Sequence, residues 1–265
     1  MKILVLGKDG QLGKSIYKEI FKEKIDSGLK FIFVGKEIID LNNINQIKSY
    51  FKKNEFDAII NCAAYTLVDK AEEYQKEANQ INNTAVMHLA NVCFQKNMIL
   101  IHISTDYVFD GNQNNPYEET DLTNPINFYG KTKLAGEKAI QQIMKKNAII
   151  IRTSWLYSEY GNNFVNTMLE LGEKKNEIQV VNDQIGSPTY ASDLALAIIQ
   201  IIKSKKNDND FCTDIYHFSN VGQVSWYEFA KEILQVKKLS CKVNPISTND
   251  YFTNAKRPTN TSLNI

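Results

Sequence analysis

Lys2-Ile-Leu-Val-Leu-Gly-Lys-Asp-Gly-Gln-Leu-Gly13 decides the fold. A short apolar run ends on Gly7, and glycines recur at 10 and 13 as an amphipathic stretch begins. A buried strand that turns sharply into a helix has this pattern. Glycine there permits the tight turn, the close approach of backbone to a phosphate, and the close packing of helix on sheet. The amides of Gly10, Gln11 and Leu12 would then face a pyrophosphate. The opening also resembles the start of a signal peptide, but Gly7-Lys8-Asp9 ends the apolar run far short of the usual length, so we read it as a first strand.

Outward from this turn, apolar runs at residues 3–6, 31–34, 58–61, 100–104 and 149–152 read as buried parallel strands. Helical patterns lie between them, at residues 10–22, 44–53, 83–96 and 129–144. The alternation predicts an α/β fold, a doubly wound parallel sheet of Rossmann type, with ligands at the carboxyl ends of the strands. After Trp155 the regularity loosens into a polar stretch at 157–163, a helix at 164–175, a turn at Gly186-Ser-Pro-Thr189 and a helix beginning near Ser192. We therefore expect a dinucleotide-binding domain over residues 1–153. Residues 154–265 would be mainly a smaller substrate-binding subdomain, part of it returning to the sheet. Residues 203–210 read as a polar surface connector.

With 265 residues, 43% of them hydrophobic, the chain can bury a sizeable core. Its 31 basic and 30 acidic residues leave a net charge of +1, so no global field recruits nucleic acid or an anionic membrane, and a small substrate is expected. Cys62, Cys93, Cys212 and Cys241 lack the spacing of a zinc ribbon or a redox dithiol and do not suggest a disulfide scaffold, which fits a reducing cytoplasm. No stretch approaches membrane-spanning length. His88, His102 and His217 have no metal-ligand spacing, and His102, in an apolar strand, reads as a core histidine.

The chemistry-bearing pattern is Tyr129-Gly-Lys-Thr-Lys133, downstream of Ser104-Thr-Asp-Tyr-Val-Phe109. Four residues apart on a helix, Tyr129 and Lys133 share a face, so the ammonium can lie near the phenol and lower its pKa for proton transfer to a carbonyl oxygen. Together with the glycine turn this points to hydride chemistry. The second strand ends in Phe33-Val-Gly-Lys36. With no carboxylate at that tip and Lys36 beside it, NADPH is expected in preference to NADH.

Taken with Asn61-Cys-Ala-Ala-Tyr-Thr-Leu-Val-Asp-Lys-Ala-Glu72, Arg152-Thr-Ser-Trp155, Gly161-Asn-Asn-Phe164, Asn182-Asp-Gln-Ile-Gly-Ser-Pro188 and Arg257-Pro258, these segments resemble the extended short-chain dehydrogenase/reductases. Within them the likeness is to the dTDP-4-dehydrorhamnose reductase family, and it covers almost the whole chain. The resemblance implies Tyr129 as proton donor, Lys133 as its partner and holder of the nicotinamide ribose, and Thr105 as the hydroxyl on the reacting carbonyl. It places Asp40 and Leu41 beside the adenine, Ala64, Tyr65 and Thr66 over the phosphates and ribose, and Ile103 near the nicotinamide. Gly7 to Gly13 and Lys36 complete the cofactor set. Thr105, Asp106 and Trp155 would face a nucleotide sugar, and Arg257 its diphosphate. The implied reaction is NADPH-dependent reduction of a C4 carbonyl for surface-polysaccharide rhamnose, with NADH as the lesser cofactor. Magnesium and a homodimer enter through the resemblance alone, and no residue is assigned as a metal ligand. Two alternatives stay open: a reductase or epimerase of another nucleotide-6-deoxysugar, and a non-catalytic NADP-binding regulatory subunit. The resemblance breaks off after Pro258, where relatives are expected to run on, with consequences for subdomain packing and dimer contacts.

Overall fold

Period-two alternation along the strands assigns each apolar residue to one of two helical layers. The computed structural model describes residues 1–22, 28–206 and 210–265, so part of the connector at 203–210 lies outside the described residues. The strands are β1 (Lys2–Leu6), β2 (Lys30–Val34), β3 (Ala58–Asn61), β4 (Ile99–Thr105), β5 (Ala148–Thr153), β6 (Leu156–Tyr157), β7 (Glu177–Val181), β8 (Ile185–Gly186), β9 (Thr189–Tyr190), β10 (Asp214–His217), β11 (Val224–Ser225) and β12 (Lys242–Ile246). The helices are α1 (Gln11–Lys22), α2 (Ile44–Lys53), α3 (Val68–Glu73), α4 (Gln75–Asn79), α5 (Ala85–Gln95), α6 (Phe128–Ile143), α7 (Phe164–Lys174), α8 (Ala191–Lys205) and α9 (Trp226–Val236).

Six strands form one sheet in the order β10-β5-β4-β3-β1-β2, every pair parallel. Leu4, Leu6, Ile59, Leu100 and Ile150 point to one face and pack with Phe51, Leu89 and Ile140 from α2, α5 and α6. Ile3, Val5, Ile60, Ile101 and Ile151 point to the other, against Leu12 and Ile16 of α1 and Leu194 and Ile198 of α8. This is the doubly wound arrangement expected from the sequence. The strand order reverses between β1 and β3, where a ligand crevice opens. In register, Leu6 stands opposite Val34 on one side and Asn61 on the other, so three loops leave the sheet at one level.

After β5 the chain builds a second, smaller core. Strands β7 and β12 pair in parallel, and Met168, Ile178, Val180, Ala230, Ile233 and Leu234 pack between them, α7 and α9. Part of the same stretch belongs to the large sheet, since β10 lies alongside β5 and α8 packs on α1.

The helix expected from residue 83 starts earlier. Helix α4 runs into a π-helical turn at Gln80–Thr84 and on into α5. The reason is Asn82, whose side chain is buried rather than solvated. Its amide accepts from the Tyr65 N–H (2.8 Å) and donates to the Tyr65 carbonyl (3.0 Å) and to Thr132 Oγ1 (3.1 Å), tying the loop after β3 to α6. Such π-turns are frequent beside functional sites. Helix α6 comes close enough here that a Cβ on Gly136 would overlap the Asn82 carbonyl oxygen.

Candidate active site

A cavity of about 710 Å³ opens at the carboxyl ends of the sheet strands, between the sheet and the smaller unit. The glycine turn forms one end. Gly7 adopts φ +83°, and a Cβ there would collide with the Ala63 backbone, so the turn requires glycine. The Gly7 and Lys8 amides donate to the Val34 carbonyl at 3.0 and 3.3 Å, which locks the turn to β2. Gly10, Gln11 and Leu12 line the cavity where α1 begins, and a Cβ on Gly10 would meet only the Gly7 carbonyl oxygen, at 3.4 Å. Open space beside the positive end of a helix dipole suits a diphosphate. Gly13 stands behind the wall, facing Gly7 and Lys8, and serves packing instead of lining. The Gln11 side chain turns to the smaller unit, where its Oε1 accepts from Ser158 Oγ and Asn163 Nδ2, both at 3.0 Å.

Lys36, Asp40 and Leu41 line the cavity at the end of β2. The expectation of a tip without carboxylates needs correction. The Ile38 and Ile39 amides both donate to the Gly35 carbonyl, and this tight turn gathers acidic groups that are scattered in the sequence. Asp9 and Glu37 close on Gly35, Glu37 pairs with Lys8, and Asp40 lies 3.7 Å from the exposed Lys36 ammonium.

The strand β4 and helix α6 supply the other end. Ile103, Thr105, Asp106, Tyr129 and Lys133 all line it. Lys133 is 1% exposed and donates to the Ile103 carbonyl at 2.6 Å. Burial holds its ammonium down at about 8, against the pull of the Glu137 carboxylate. Burial likewise pushes the Tyr129 phenol up to about 12, the neighbouring Thr105 hydroxyl working the other way. The sequence expectation that Lys133 lowers the Tyr129 pKa is therefore corrected for this state. Desolvation dominates both groups, and Thr105 is the neighbour that favours the phenolate. The Thr105 hydroxyl donates to Asp106 Oδ1 (2.9 Å) and accepts from the Tyr107 N–H (3.2 Å), so its rotamer is held from two sides.

Ala64 and Thr66 line the cavity, but Tyr65 between them turns inward to pack with Ala71 and Ala78. Trp155 lines the cavity at φ +45° and stacks on Trp226, ring centroids 3.4 Å apart and planes 6° from parallel. The sequence reading missed Trp226, although Ser225 and Glu228 form a capping box that marks it as the first residue of α9. Val68, Ser154, Asn162 and Asn163 were missed as well, none carrying a reactive group or a distinctive spacing. Arg257 does not line the cavity. Its guanidinium is bound to Asp69 at 2.5 Å and lies 6.0 Å from the Tyr107 ring, because the last loop folds back over α3.

Asp106 offers a pH test. Burial raises its carboxyl from 3.8 to about 6, against hydrogen bonds from the Thr261 and Thr105 hydroxyls. The fold thus favours the neutral acid. That contribution is complete below about pH 4 and is lost as pH rises through about 6, where the charged form must be buried. Asp106→Asn keeps the acceptor and removes the charge. It is expected to exceed the wild type in stability by about 3 kcal/mol above about pH 7, the gain vanishing near pH 4. Urea unfolding across that range measures it, and a pH-independent difference would reject the cause.

A doubly wound sheet whose crevice joins a glycine turn to a tyrosine-lysine helix defines an extended short-chain dehydrogenase/reductase. The family model described as RmlD substrate binding domain matches residues 1–265. A dTDP-4-dehydrorhamnose reductase of Aggregatibacter actinomycetemcomitans is 40% identical, over 100% of this chain and 90% of its own length. The crystal structure of a dTDP-4-dehydrorhamnose reductase from Clostridium acetobutylicum superposes with a TM-score of 0.92 at 38% identity, covering 100% of this chain and 90% of that one. That of the Bacillus anthracis reductase in complex with NADP gives 0.90 at 39% identity, covering 99% and 90%. The chain belongs to the dTDP-4-dehydrorhamnose reductase family. Among the described residues no group of three or more His, Cys, Asp or Glu side chains is placed to hold a metal ion, and no helix is long and apolar enough to cross a membrane.

Proposed function

We propose that this chain reduces the C4 carbonyl of dTDP-4-dehydro-L-rhamnose to give dTDP-L-rhamnose, with NADPH as cofactor, in the cytoplasm and in supply of surface polysaccharide. The observation that carries the reading is the convergence of Thr105, Tyr129 and Lys133 in the cavity that the glycine turn also lines. NADPH bound along that wall would supply hydride to the carbonyl carbon. Tyr129 gives its proton to the carbonyl oxygen, and Thr105 turns its hydroxyl from Asp106 to that oxygen, stabilising the charge that develops there. Lys133, in its charged form, offsets the phenolate left on Tyr129. Asp106 accepts hydrogen bonds from the sugar, and the Trp155–Trp226 stack provides an apolar wall for it. The test is NADPH oxidation followed by absorbance, with the ketosugar generated in situ by the preceding epimerase and the product identified by NMR. Formation of dTDP-L-rhamnose supports the reading. NADPH binding with no turnover of this sugar, and turnover of another 4-keto nucleotide sugar, overturns it.

The ribose 2′-phosphate would lie within reach of Lys36, which must then exchange Asp40 for the phosphate. A charge-assisted hydrogen bond of about 1.5 kcal/mol corresponds to roughly tenfold. Lys36→Ala is expected to lower kcat/KM for NADPH by about that factor and to leave NADH nearly unchanged. Equal losses with both cofactors would show that Lys36 does not read the phosphate.

A further inference from the structure

Gln11, Lys14 and Lys18 share one face of α1, and all three reach the stretch at residues 156–163 where the sequence pattern loosens. Lys14 lies over the Tyr160 ring, 5.7 Å from its centroid, and Lys18 pairs with Glu159. Gln11 makes the inner contacts. Its Nε2 donates to the Leu156 carbonyl at 3.4 Å, and its Oε1 accepts from Ser158 Oγ and Asn163 Nδ2, both at 3.0 Å. The Asn163 amide has a fixed orientation, because its Oδ1 caps α7 by accepting from the Asn166 N–H at 3.0 Å. Its Nδ2 is therefore the atom offered to Gln11, which fixes the Gln11 amide in turn. Ser158 is 2% exposed and its Oγ accepts from the Tyr160 N–H at 3.0 Å. A Cβ built on Gly161, at φ +67°, would meet the Gln11 Cγ at 3.8 Å, so the loop also closes over the stem of this side chain.

This loop carries Gly161, Asn162 and Asn163 into the cavity wall, and Gln11 itself begins α1 in the glycine turn. One residue thus has its main chain in the turn that suits a diphosphate and its side chain in the wall contributed by the smaller unit. We infer that Gln11 is a positioning residue that ties residues 156–163 to the cofactor turn, so that occupancy of the turn stiffens the wall on the nucleotide-sugar side. The identity of the two ligands rests on the reductase reading above. A diphosphate held by the turn restrains the Gln11 main chain, and the side chain then has less freedom to lose in keeping its contacts with the loop. The linkage is reciprocal, so a stiffened loop favours the cofactor by the same factor. Lys18 and Glu159 are 39% and 40% exposed, and their pairing holds the loop from outside without touching the turn.

Amide hydrogen exchange of the full chain reads the tie at the Tyr160 and Asn166 N–H groups, whose acceptors are the two side chains that bond Gln11 Oε1. Saturating NADPH is expected to slow both by about fivefold. Gln11→Leu keeps the main-chain N–H and removes the side-chain hydrogen bonds, and its NADPH-saturated form is expected to show no slowing. Lys18→Met loosens the same loop from outside and is expected to keep the NADPH effect. No slowing in the wild type, slowing retained in Gln11→Leu, or an equal loss in Lys18→Met overturns the inference. Should Gln11→Leu not fold, Ser158→Ala decides, since it takes one donor from Gln11 Oε1 and leaves the turn intact. A reduced effect at Asn166 is expected there, and an undiminished one overturns the inference. The dTDP affinity, measured by calorimetry, is expected to be about fivefold higher with saturating NADPH than without it, and equal in Gln11→Leu. Equal wild-type affinities overturn the coupling. A chain that binds NADPH but no dTDP counts against the nucleotide-sugar reading alone, because the exchange result stands without it, and one that binds no NADPH overturns both.

Discussion

Tyr129→Phe is expected to lower turnover of the ketosugar by about 10²- to 10⁴-fold while leaving NADPH binding and the fold as they are. The substitution removes one oxygen and keeps the ring, which packs edge-on against Tyr107 at 6.0 Å between centroids. Thr105 is held by Asp106 and Tyr107, so its hydroxyl remains in place. What is lost is the proton. In the protein alone the phenol is held near 12 by burial, fully protonated at neutral pH. It can be an effective acid only if the charge it leaves behind is stabilised in the transition state. Lys133 and Thr105 are the groups placed to do that, so the phenol and its two neighbours act as a unit and their losses are not additive. The single variant should therefore lose nearly as much as one that also carries Thr105→Val. Stopped-flow reduction at saturating NADPH, with cofactor binding measured separately by fluorescence, makes the comparison. Full turnover in Tyr129→Phe would remove Tyr129 as the proton donor.

The parallel sheet was legible because its inner strands are buried on both faces, and double burial writes them as unbroken apolar runs such as Ile3-Leu-Val-Leu6. The edge strand β10 was not legible. Tyr216 on it is half exposed, and Asp214-Ile-Tyr-His217 has no apolar run to mark it. The helical continuity from α4 into α5 was hidden by Asn79, Asn82 and Asn83, polar residues that suggest a loop until Asn82 is seen bonded inside. At the site, the glycine turn and the tyrosine-lysine pair were legible because they depend on local spacing. Partners drawn from far along the chain were not. Arg257 meets Asp69 across 188 positions, and Lys8 meets Glu37 only because the chain turns at Gly35. The direction of the Tyr129 shift was misread for a related reason. Spacing on a helix shows that two groups share a face, but desolvation depends on everything packed around them, and here it outweighs the neighbour.

The proposed catalytic end also depends on a buried ion pair, and breaking one side of it should cost more stability than any substitution in the cavity wall. Glu137 is 0% exposed and Arg152 2%. Arg152 Nη2 donates to Glu137 Oε2 at 2.8 Å and Nε to Oε1 at 3.1 Å, a forked geometry that joins β5 to α6. Ser104 donates to the same carboxylate, and Arg152 Nη1 reaches the Glu119 carbonyl at 3.3 Å. Glu137 lies one turn beyond Lys133, and Ser104 immediately precedes Thr105, so this network fixes the distance between the two elements that carry the proposed catalytic residues. Glu137→Leu leaves a guanidinium desolvated without its counter-charge, which costs about 3–5 kcal/mol. Removing both charges is a different matter, because an apolar pair of similar volume escapes the desolvation penalty, so Glu137→Leu combined with Arg152→Met should recover most of the loss. Urea unfolding at constant m-value tests both halves. A single variant within about 1 kcal/mol of wild type, or a double variant that falls by the sum of the two singles, would mean that the pair does not act as a buried unit. Activity should not follow stability back. The double variant still lacks the carboxylate that pulls the Lys133 ammonium up and holds Ser104, so a refolded but slower enzyme is the expected outcome.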